Sequence, residues 1–177
     1  MESAENEKEL IEYIQYPDIA KDILAMAALD QIYRKQYLVD RQAGKLPQWN
    51  HGMDKNHTKK LKQIVQQIGW PTISAVGKQA SFAAWLLVQH ADHDLVFQKS
   101  CLALMMALRS NEIDPANIAY LTDRILVSEG KSQIYGTQFY YDQSQKLVLH
   151  LTEDRPNLNK RRASIGLEAI QEAPNLL

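Results

Sequence analysis

The chain has 177 residues, which is the length of a single domain, because typical domains hold roughly 100 to 200 residues. Hydrophobic residues make up 45% and charged residues 23%, values typical of globular proteins, which argues against a disordered or a membrane protein. Twenty Lys and Arg against 21 Asp and Glu leave a formal charge of -1, so the charge balance does not indicate nucleic acid binding. We expect one domain over residues 1–177, with an acidic segment at 1–12 and an ordered core over about 18–173.

Neither a targeting segment nor a membrane span is predicted. The first twelve residues are rich in glutamate, whereas a secretory signal needs a basic start followed by an apolar stretch. The longest nearly apolar run, residues 80–88, is far shorter than the roughly 20 residues that span a bilayer. The single cysteine, Cys101, excludes a disulfide framework. We therefore expect a cytoplasmic protein that does not associate with a membrane.

The first half of the chain has the pattern of consecutive helices. Apolar residues at helical spacing predict a helix over about 18–37, then a loop over 44–52. Apolar residues over 61–68 predict a second helix that ends at Gly69. Residues 74–109 favour helix throughout, but a rod of about 54 Å is too long for one domain. We expect a break at residues 92–94, with Asp92 as the N-cap of the next helix.

The second half combines helices with a small β element. Asp114 and Pro115 predict the start of a helix that ends at Gly130. Residues 134–141 and 146–151 favour strands separated by a turn, and a last helix is expected over about 158–173. Because two strands alone are marginally stable, the hairpin should pack on the helices. The predicted fold class is mainly α, a compact domain of six or seven helices with one β-hairpin.

Polar side chains interrupt several of these apolar segments. If the helix of residues 80–88 continues, His90 can meet Asp94, and Gln89 can meet Asp92. Burial of such groups without partners costs about 1 to 3 kcal/mol each, so partners should come from other segments. The candidates are Asp30, Gln31, Arg34, Asp123, Arg124, Gln133, Tyr135, Thr137, Gln138 and Arg162. In a strand, Gln133, Tyr135 and Thr137 would share one face, and Gly136 would mark a close approach of backbone or ligand.

Several short motifs in this order resemble a family of small, mainly bacterial proteins classed as a domain of unknown function. The motifs are GWP at 69–71, VG at 76–77, QHAD at 89–92, AYLTDR at 119–124 and QIYGTQF at 133–139, together with DQxxR at 30–34 and RRxxIGL at 161–167. The resemblance covers roughly residues 27–167. It implies a shared architecture and a shared polar cluster, and it implies no particular reaction or cofactor.

Our main hypothesis is a polar interior pocket that binds a small molecule with an anionic or amide group. His90 would act as a general base, with Asp92 and Asp123 as further catalytic residues, because imidazole titrates near neutral pH. Arginines would clamp an anion and amides would orient the ligand; the predicted binding residues are Asp30, Gln31, Arg34, Gln89, Arg124, Gln133, Tyr135, Thr137, Gln138 and Arg162. Whether a reaction, such as hydrolysis, is catalysed stays open at this point, and no cofactor is identified.

The alternative hypothesis is a protein-interaction module without catalysis, for example a toxin-neutralising partner, in which the polar cluster is structural. A metal site built from His90, His93, Asp92 and Asp94, with His57 added by folding, matches no familiar ligand spacing, so no metal ligand is assigned. The basic run at 55–62 lacks interleaved aromatic residues and does not indicate nucleic acid binding.

Overall fold

The computed structural model describes residues 14–170, and the chain divides into two compact units, the first ending at His90 and the second beginning at Ala91. The described residues form a mainly helical fold, with seven helices, 61% helical content and a two-stranded antiparallel hairpin. The predicted fold class is therefore confirmed. The predicted acidic segment at 1–12 and the end of the predicted core at 171–173 lie outside the described residues, and the division into a single domain stays a prediction.

The first unit is helical. Its helices are α1 (Pro17–Gln42), α2 (His51–Ile68), the short α3 (Ile73–Val76) and α4 (Lys78–Gln89). The apolar α4 packs against the other three, and Ile23, Leu61 and Val88 are fully buried between them. An element that contacts neighbours on several sides must be apolar on most of its surface, which explains the nearly continuous apolar run of residues 80–88.

Helix α2 begins ten residues before the apolar residues that predicted it. Asn50 is its N-cap, and the Asn50 side-chain oxygen accepts a hydrogen bond from the backbone N–H of Met53 at 3.3 Å. The predicted loop over 44–52 is thus wrong for its last two residues, because asparagine favours both turns and N-caps. Helix α1 likewise extends five residues beyond its predicted end at residue 37.

The second unit contains the remaining elements. They are α5 (Leu95–Met106), α6 (Pro115–Ser128), β1 (Phe139–Tyr141), β2 (Leu147–Leu149), a 3₁₀ turn (Arg155–Asn157) and α7 (Leu158–Ala163). Helices α5 and α6 pack together. The predicted break is confirmed, but Asp94 rather than Asp92 caps α5, accepting a hydrogen bond from Phe97 N–H at 3.1 Å. Asp114 caps α6 as predicted.

The hairpin is shorter than predicted. Strand β1 pairs with β2 in the register of Tyr140 opposite Val148, and residues 134–138 are not part of a strand. Gly136 has a φ of +64°, in the left-handed region, where a strand cannot continue. The expected alternation of Gln133, Tyr135 and Thr137 on one strand face is therefore wrong.

The last helix is also shorter than predicted, since α7 ends at Ala163 instead of near residue 173. Gly166 follows with a φ of +75°, a conformation that ends a helix and that favours glycine. Among the described residues, no helix is both long enough and apolar enough to cross a membrane.

Candidate functional site

In the first unit, a fully buried carboxylate and a histidine form the centre of a polar cluster. Asp30 lies on α1 with a side chain that is not exposed at all, and His90 follows the last residue of α4. His90 Nδ1 lies 3.0 Å from Asp30 Oδ2, and the His90 side chain keeps 15% of its surface exposed. The pair thus joins a buried charge to a titratable ring that solvent or a ligand can reach.

Arg34 links this pair to helix α2. Its Nε donates to both oxygens of Asp30 at 3.1 Å, and its Nη2 donates to Asp54 Oδ1 at 3.0 Å. Trp49 Nε1 donates to the other oxygen of Asp54 at 2.6 Å, and the Arg34 guanidinium lies 4.6 Å from the centroid of the Trp49 ring. The guanidinium therefore has two carboxylates and an aromatic face as partners within the protein.

These contacts decide the charge state of Asp30. Burial by itself raises the pKa of a carboxyl group, but the contacts of Asp30 with His90 and Arg34 outweigh it and lower the pKa of Asp30 to about 2. Gln31 Nε2 adds a further hydrogen bond to Asp30 Oδ2 at 2.8 Å. Asp30 is thus an anion at neutral pH, with its Oδ2 lying 3.0 Å from His90 Nδ1.

The second unit contains a separate cluster around Asp123 on α6, whose side chain is fully buried. Asp123 Oδ1 accepts from the backbone N–H groups of Ile134 and Tyr135, at 2.7 and 3.0 Å. Its Oδ2 accepts from both the backbone N–H and the hydroxyl of Thr137, each at 3.0 Å. The carboxylate therefore fixes the segment that precedes β1, and it explains why this segment makes no strand pairing.

Gln133 and Arg162 hold the same segment from other sides. The Gln133 side chain accepts from Gln138 N–H at 2.9 Å and donates to the carbonyl oxygens of Gln138 and His150. Arg162 Nη1 donates to the carbonyl oxygen of Tyr135 at 2.7 Å. All of these contacts involve main-chain groups, so the cluster is a scaffold for one turn of backbone.

Asp92 and Arg124 form a bidentate ion pair in the second unit, with Arg124 Nε 2.7 Å from Asp92 Oδ1 and Nη2 2.5 Å from Oδ2. The Asp92 side chain is 60% exposed, so the pair lies at the surface of the unit. Exposed pairs contribute little stability, about 0 to 1 kcal/mol.

A family model for a family of unknown function, DUF6624, matches residues 17–177 of the chain. The chain belongs to the DUF6624 family. No curated protein and no solved structure matches this chain significantly.

The structure assigns the predicted site residues of this DUF6624 chain to two separate sets. The first unit contains Asp30, Gln31, Arg34, Gln89 and His90, and the second contains Asp92, Asp123, Arg124, Gln133, Tyr135, Thr137, Gln138 and Arg162. The helical pairing of His90 with Asp94 was expected only if the helix continued, and this condition is not met, because α4 ends at Gln89 and Asp94 caps α5. In the first unit, Asp30 is the carboxylate at His90.

Sequence reasoning missed Asp54 and Trp49, because both follow or fall within the predicted loop. A charged residue shortly after an N-cap candidate such as Asn50 could have indicated a helical first turn. Of the described residues, no group of three or more His, Cys, Asp or Glu side chains is arranged to hold a metal ion.

Proposed function

We propose that the first unit binds a small molecule carrying an amide or a comparable hydrogen-bonding group, and that His90 is the residue that exchanges a proton with it. The observation that carries the proposal is the 3.0 Å contact between His90 Nδ1 and the buried, ionised Asp30. A carboxylate at Nδ1 retains a proton on that nitrogen and leaves Nε2 as the acceptor. Asp30 is then a positioning residue and His90 the catalytic residue.

The chemistry that this pair supports is general-base hydrolysis. Nε2 of His90 takes a proton from water as the water oxygen attacks the amide carbonyl carbon, and the protonated His90 then donates this proton to the leaving nitrogen as the bond between carbon and nitrogen breaks. Arg34 is less suited to clamping an anion, because its Nε binds Asp30 and its Nη2 binds Asp54, so two carboxylates already balance its charge. This charge arrangement favours an amide over an anionic group at His90. We further propose that the protein is cytoplasmic, that the family occurs mainly in bacteria, and that the motifs quoted above are characteristic of the family.

The proposal is tested with N-acetylglycinamide and N-acetylglycine, whose binding and hydrolysis are followed by NMR. We expect the neutral amide to bind, and His90→Ala to weaken this binding by about tenfold or more, since a hydrogen bond to a ligand contributes about 1.5 kcal/mol. His93→Ala is the matched control because His93 is an exposed histidine outside the cluster. Equal binding by wild type and His90→Ala would refute the site. Binding without formation of either pair of products, N-acetylglycine with ammonia or acetate with glycinamide, would refute the hydrolysis.

A second candidate function, a non-catalytic protein-interaction module, is favoured by the cluster in the second unit. There Asp123 binds main-chain N–H groups and Arg162 binds main-chain carbonyls, which is the arrangement expected if polar residues only organise the fold. Exposed Phe139, Tyr141 and Leu147 on the hairpin supply apolar surface for contact with a partner.

Replacement of Asp123 by Asn tests the scaffold role. One oxygen becomes an NH₂ group that faces N–H donors, so we expect a loss of about 2 to 4 kcal/mol in the free energy of unfolding, measured by urea denaturation. Asp154→Asn, at a largely exposed carboxylate in the same unit, is the control and should change stability much less. An Asp123→Asn variant as stable as the wild type would remove the support for a scaffold.

A further inference from the structure

A groove runs along one side of helices α1 and α2 in the first unit. One part has a volume of about 480 Å³ and a neighbouring part about 660 Å³, and the two share Leu29, His57, Lys60 and Gln63 as lining residues. Clefts of roughly 300 to 1,000 Å³ are typical of small-molecule sites. Neither His90 nor Asp30 lines this groove, so it is distinct from the site of the proposed function.

The groove has an elongated apolar wall. Helix α1 contributes Ile19, Met26 and Leu29, which share one helix face, and α2 contributes Ile64 opposite them. Ile19 and Leu29 are ten residues apart, so the α1 side of this wall is about 15 Å long at a rise of 1.5 Å per residue. Leu29 is 45% exposed, so part of its apolar surface is not covered by any residue of the described range 14–170. A narrow apolar chain would fit this wall better than a compact polar molecule.

Positive charge predominates at the wall formed by α2. Lys60 lines both parts of the groove and Lys59 lines the second part, whereas Asp22 is the acidic residue among the lining residues of the two parts. Lys60 is close enough to His57 for its charge to lower the pKa of His57. An anionic group beside these two lysines would therefore find complementary charge.

His57 supplies a hydrogen-bonding group that no residue of the described part of the chain uses. The residue is only 7% exposed, and its Nδ1 has no hydrogen-bond partner among the described residues. Burial lowers the pKa of His57, while Asp30 and Asp54 act in the opposite direction with smaller effect, so the imidazole is neutral at pH 7. Buried polar atoms in native proteins nearly always have partners, so an unpaired ring nitrogen in the wall of a groove points to a ligand.

We propose that this groove binds an elongated aliphatic carboxylic acid. The carboxylate lies against Lys60 and accepts a hydrogen bond from His57 once the imidazole turns its unpaired Nδ1 toward the groove. The aliphatic chain lies along Met26, Leu29 and Ile64. The inference uses different residues from the proposed function and does not depend on it.

Octanoate is the probe, titrated into the full chain and followed by the NMR signals of the histidine side chains. We expect saturable binding with a shift of the His57 signals, and a dissociation constant raised about tenfold by Lys60→Ala, because one charge-assisted contact is lost. Lys55→Ala, an exposed lysine of the same helix outside the groove, should bind as the wild type does. Octylamine has the same chain with the opposite charge and should not compete.

A second variant keeps the test independent of any folding defect. His57→Gln preserves a hydrogen-bonding side chain in the groove and should weaken octanoate binding less than Lys60→Ala does, whereas His90→Ala should leave it unchanged. The proposal is overturned by unchanged binding to Lys60→Ala, by equal binding of octylamine, or by the absence of saturable binding at millimolar octanoate. Loss of octanoate binding in His90→Ala would place the ligand at the other site and would also overturn the proposal.

Discussion

Asp30 retains its negative charge in a fully buried position because four hydrogen-bonding or charged contacts compensate for the lost water. A buried carboxylate without such partners would take up a proton instead. Gln31 and Arg34 come from its own helix, while His90 comes from the end of α4. Helix α4 is thus joined to α1 by an electrostatic contact as well as by apolar packing.

The depressed pKa of Asp30 gives a pH-dependent contribution to stability. Because the pKa is about 2 in the folded protein against 3.8 for a free group, this contribution is complete above pH 4 and is lost as the pH falls through about 2. Its size is about 2 kcal/mol at neutral pH. Asp30→Asn should therefore be less stable by about that amount at pH 7 in urea denaturation, and the difference from the wild type should shrink below pH 4.

Asp40 provides the matched control on the same helix. Its partner Lys45 is largely exposed, so solvent screens the pair, and Asp40→Asn should change the stability much less. A difference between wild type and Asp30→Asn that persists undiminished at pH 3 would contradict an ionised Asp30.

Part of this residue-level chemistry could be predicted from the sequence. Asp30 and Arg34 are four apart on a predicted helix, a spacing at which oppositely charged side chains meet. The contact of Asp30 with His90 could not be predicted, because it joins residues 60 positions apart and depends on how two helices pack. For the same reason Asp123 was expected in a pocket, although its actual partners are main-chain N–H groups that carry no sequence pattern.

For the secondary-structure elements, the predictions succeeded where a residue type determines where a helix begins or breaks. Asp114 with Pro115 indicates the start of α6, and the polar residues 92–94 indicate the break before α5. The prediction failed for 134–138, whose alternation favours a strand, because hydrogen bonds to Asp123 take up N–H groups that strand pairing would need. The strand propensity of these residues was overridden by their hydrogen bonds to the buried Asp123 side chain.

A substitution of Gly136 tests how tightly neighbouring side chains enclose the segment of residues 134–138. A Cβ at this position would lie 3.0 Å from Ile170 Cδ1 and 3.1 Å from Leu158 Cδ2, and its φ of +64° disfavours any other residue. Gly136→Ala should therefore lower the free energy of unfolding by about 2 to 4 kcal/mol, from the left-handed backbone and the close contacts together. Thermal and urea denaturation would measure it.

Gly130 offers a control with the same backbone strain and no crowding. Its φ is +70° and nothing lies within 4 Å of a Cβ built on it, so Gly130→Ala should lose only about 1 to 2 kcal/mol. Equal losses in the two variants would mean that the close approach at Gly136 does not matter for stability.

Across the whole molecule, the two units use buried polar groups differently. In the first unit Asp30 contacts the side chains of Arg34 and His90, whereas in the second unit Asp123 accepts mainly from backbone N–H groups. A contact between two ionisable side chains can be lost when either side chain changes its protonation state. A contact between a carboxylate and a main-chain amide has only the carboxylate as an ionisable group.

This difference predicts that mild acid destabilises the first unit before the second. His57 has a lowered pKa, so the stability of the folded state falls as the pH drops below 6.5 toward that lowered value, where the buried ring must take up a proton. Hydrogen exchange at pH 7 and pH 5, corrected for the intrinsic pH effect, should show greater loss of protection in α1 and α2 than in α6. His57→Gln should remove most of that difference, and equal loss in both units would contradict it.

The anchoring of residues 134–137 by Asp123 affects how freely this part of the chain can change during evolution. The carboxylate holds amide hydrogens, which nearly every amino acid supplies, so the identities of Ile134 and Tyr135 matter little for that attachment. Proline is the exception, because it lacks the amide hydrogen. Substitutions can therefore change the outward-facing side chains of this turn, while Asp123, together with Gln133 and Arg162, holds its backbone in place.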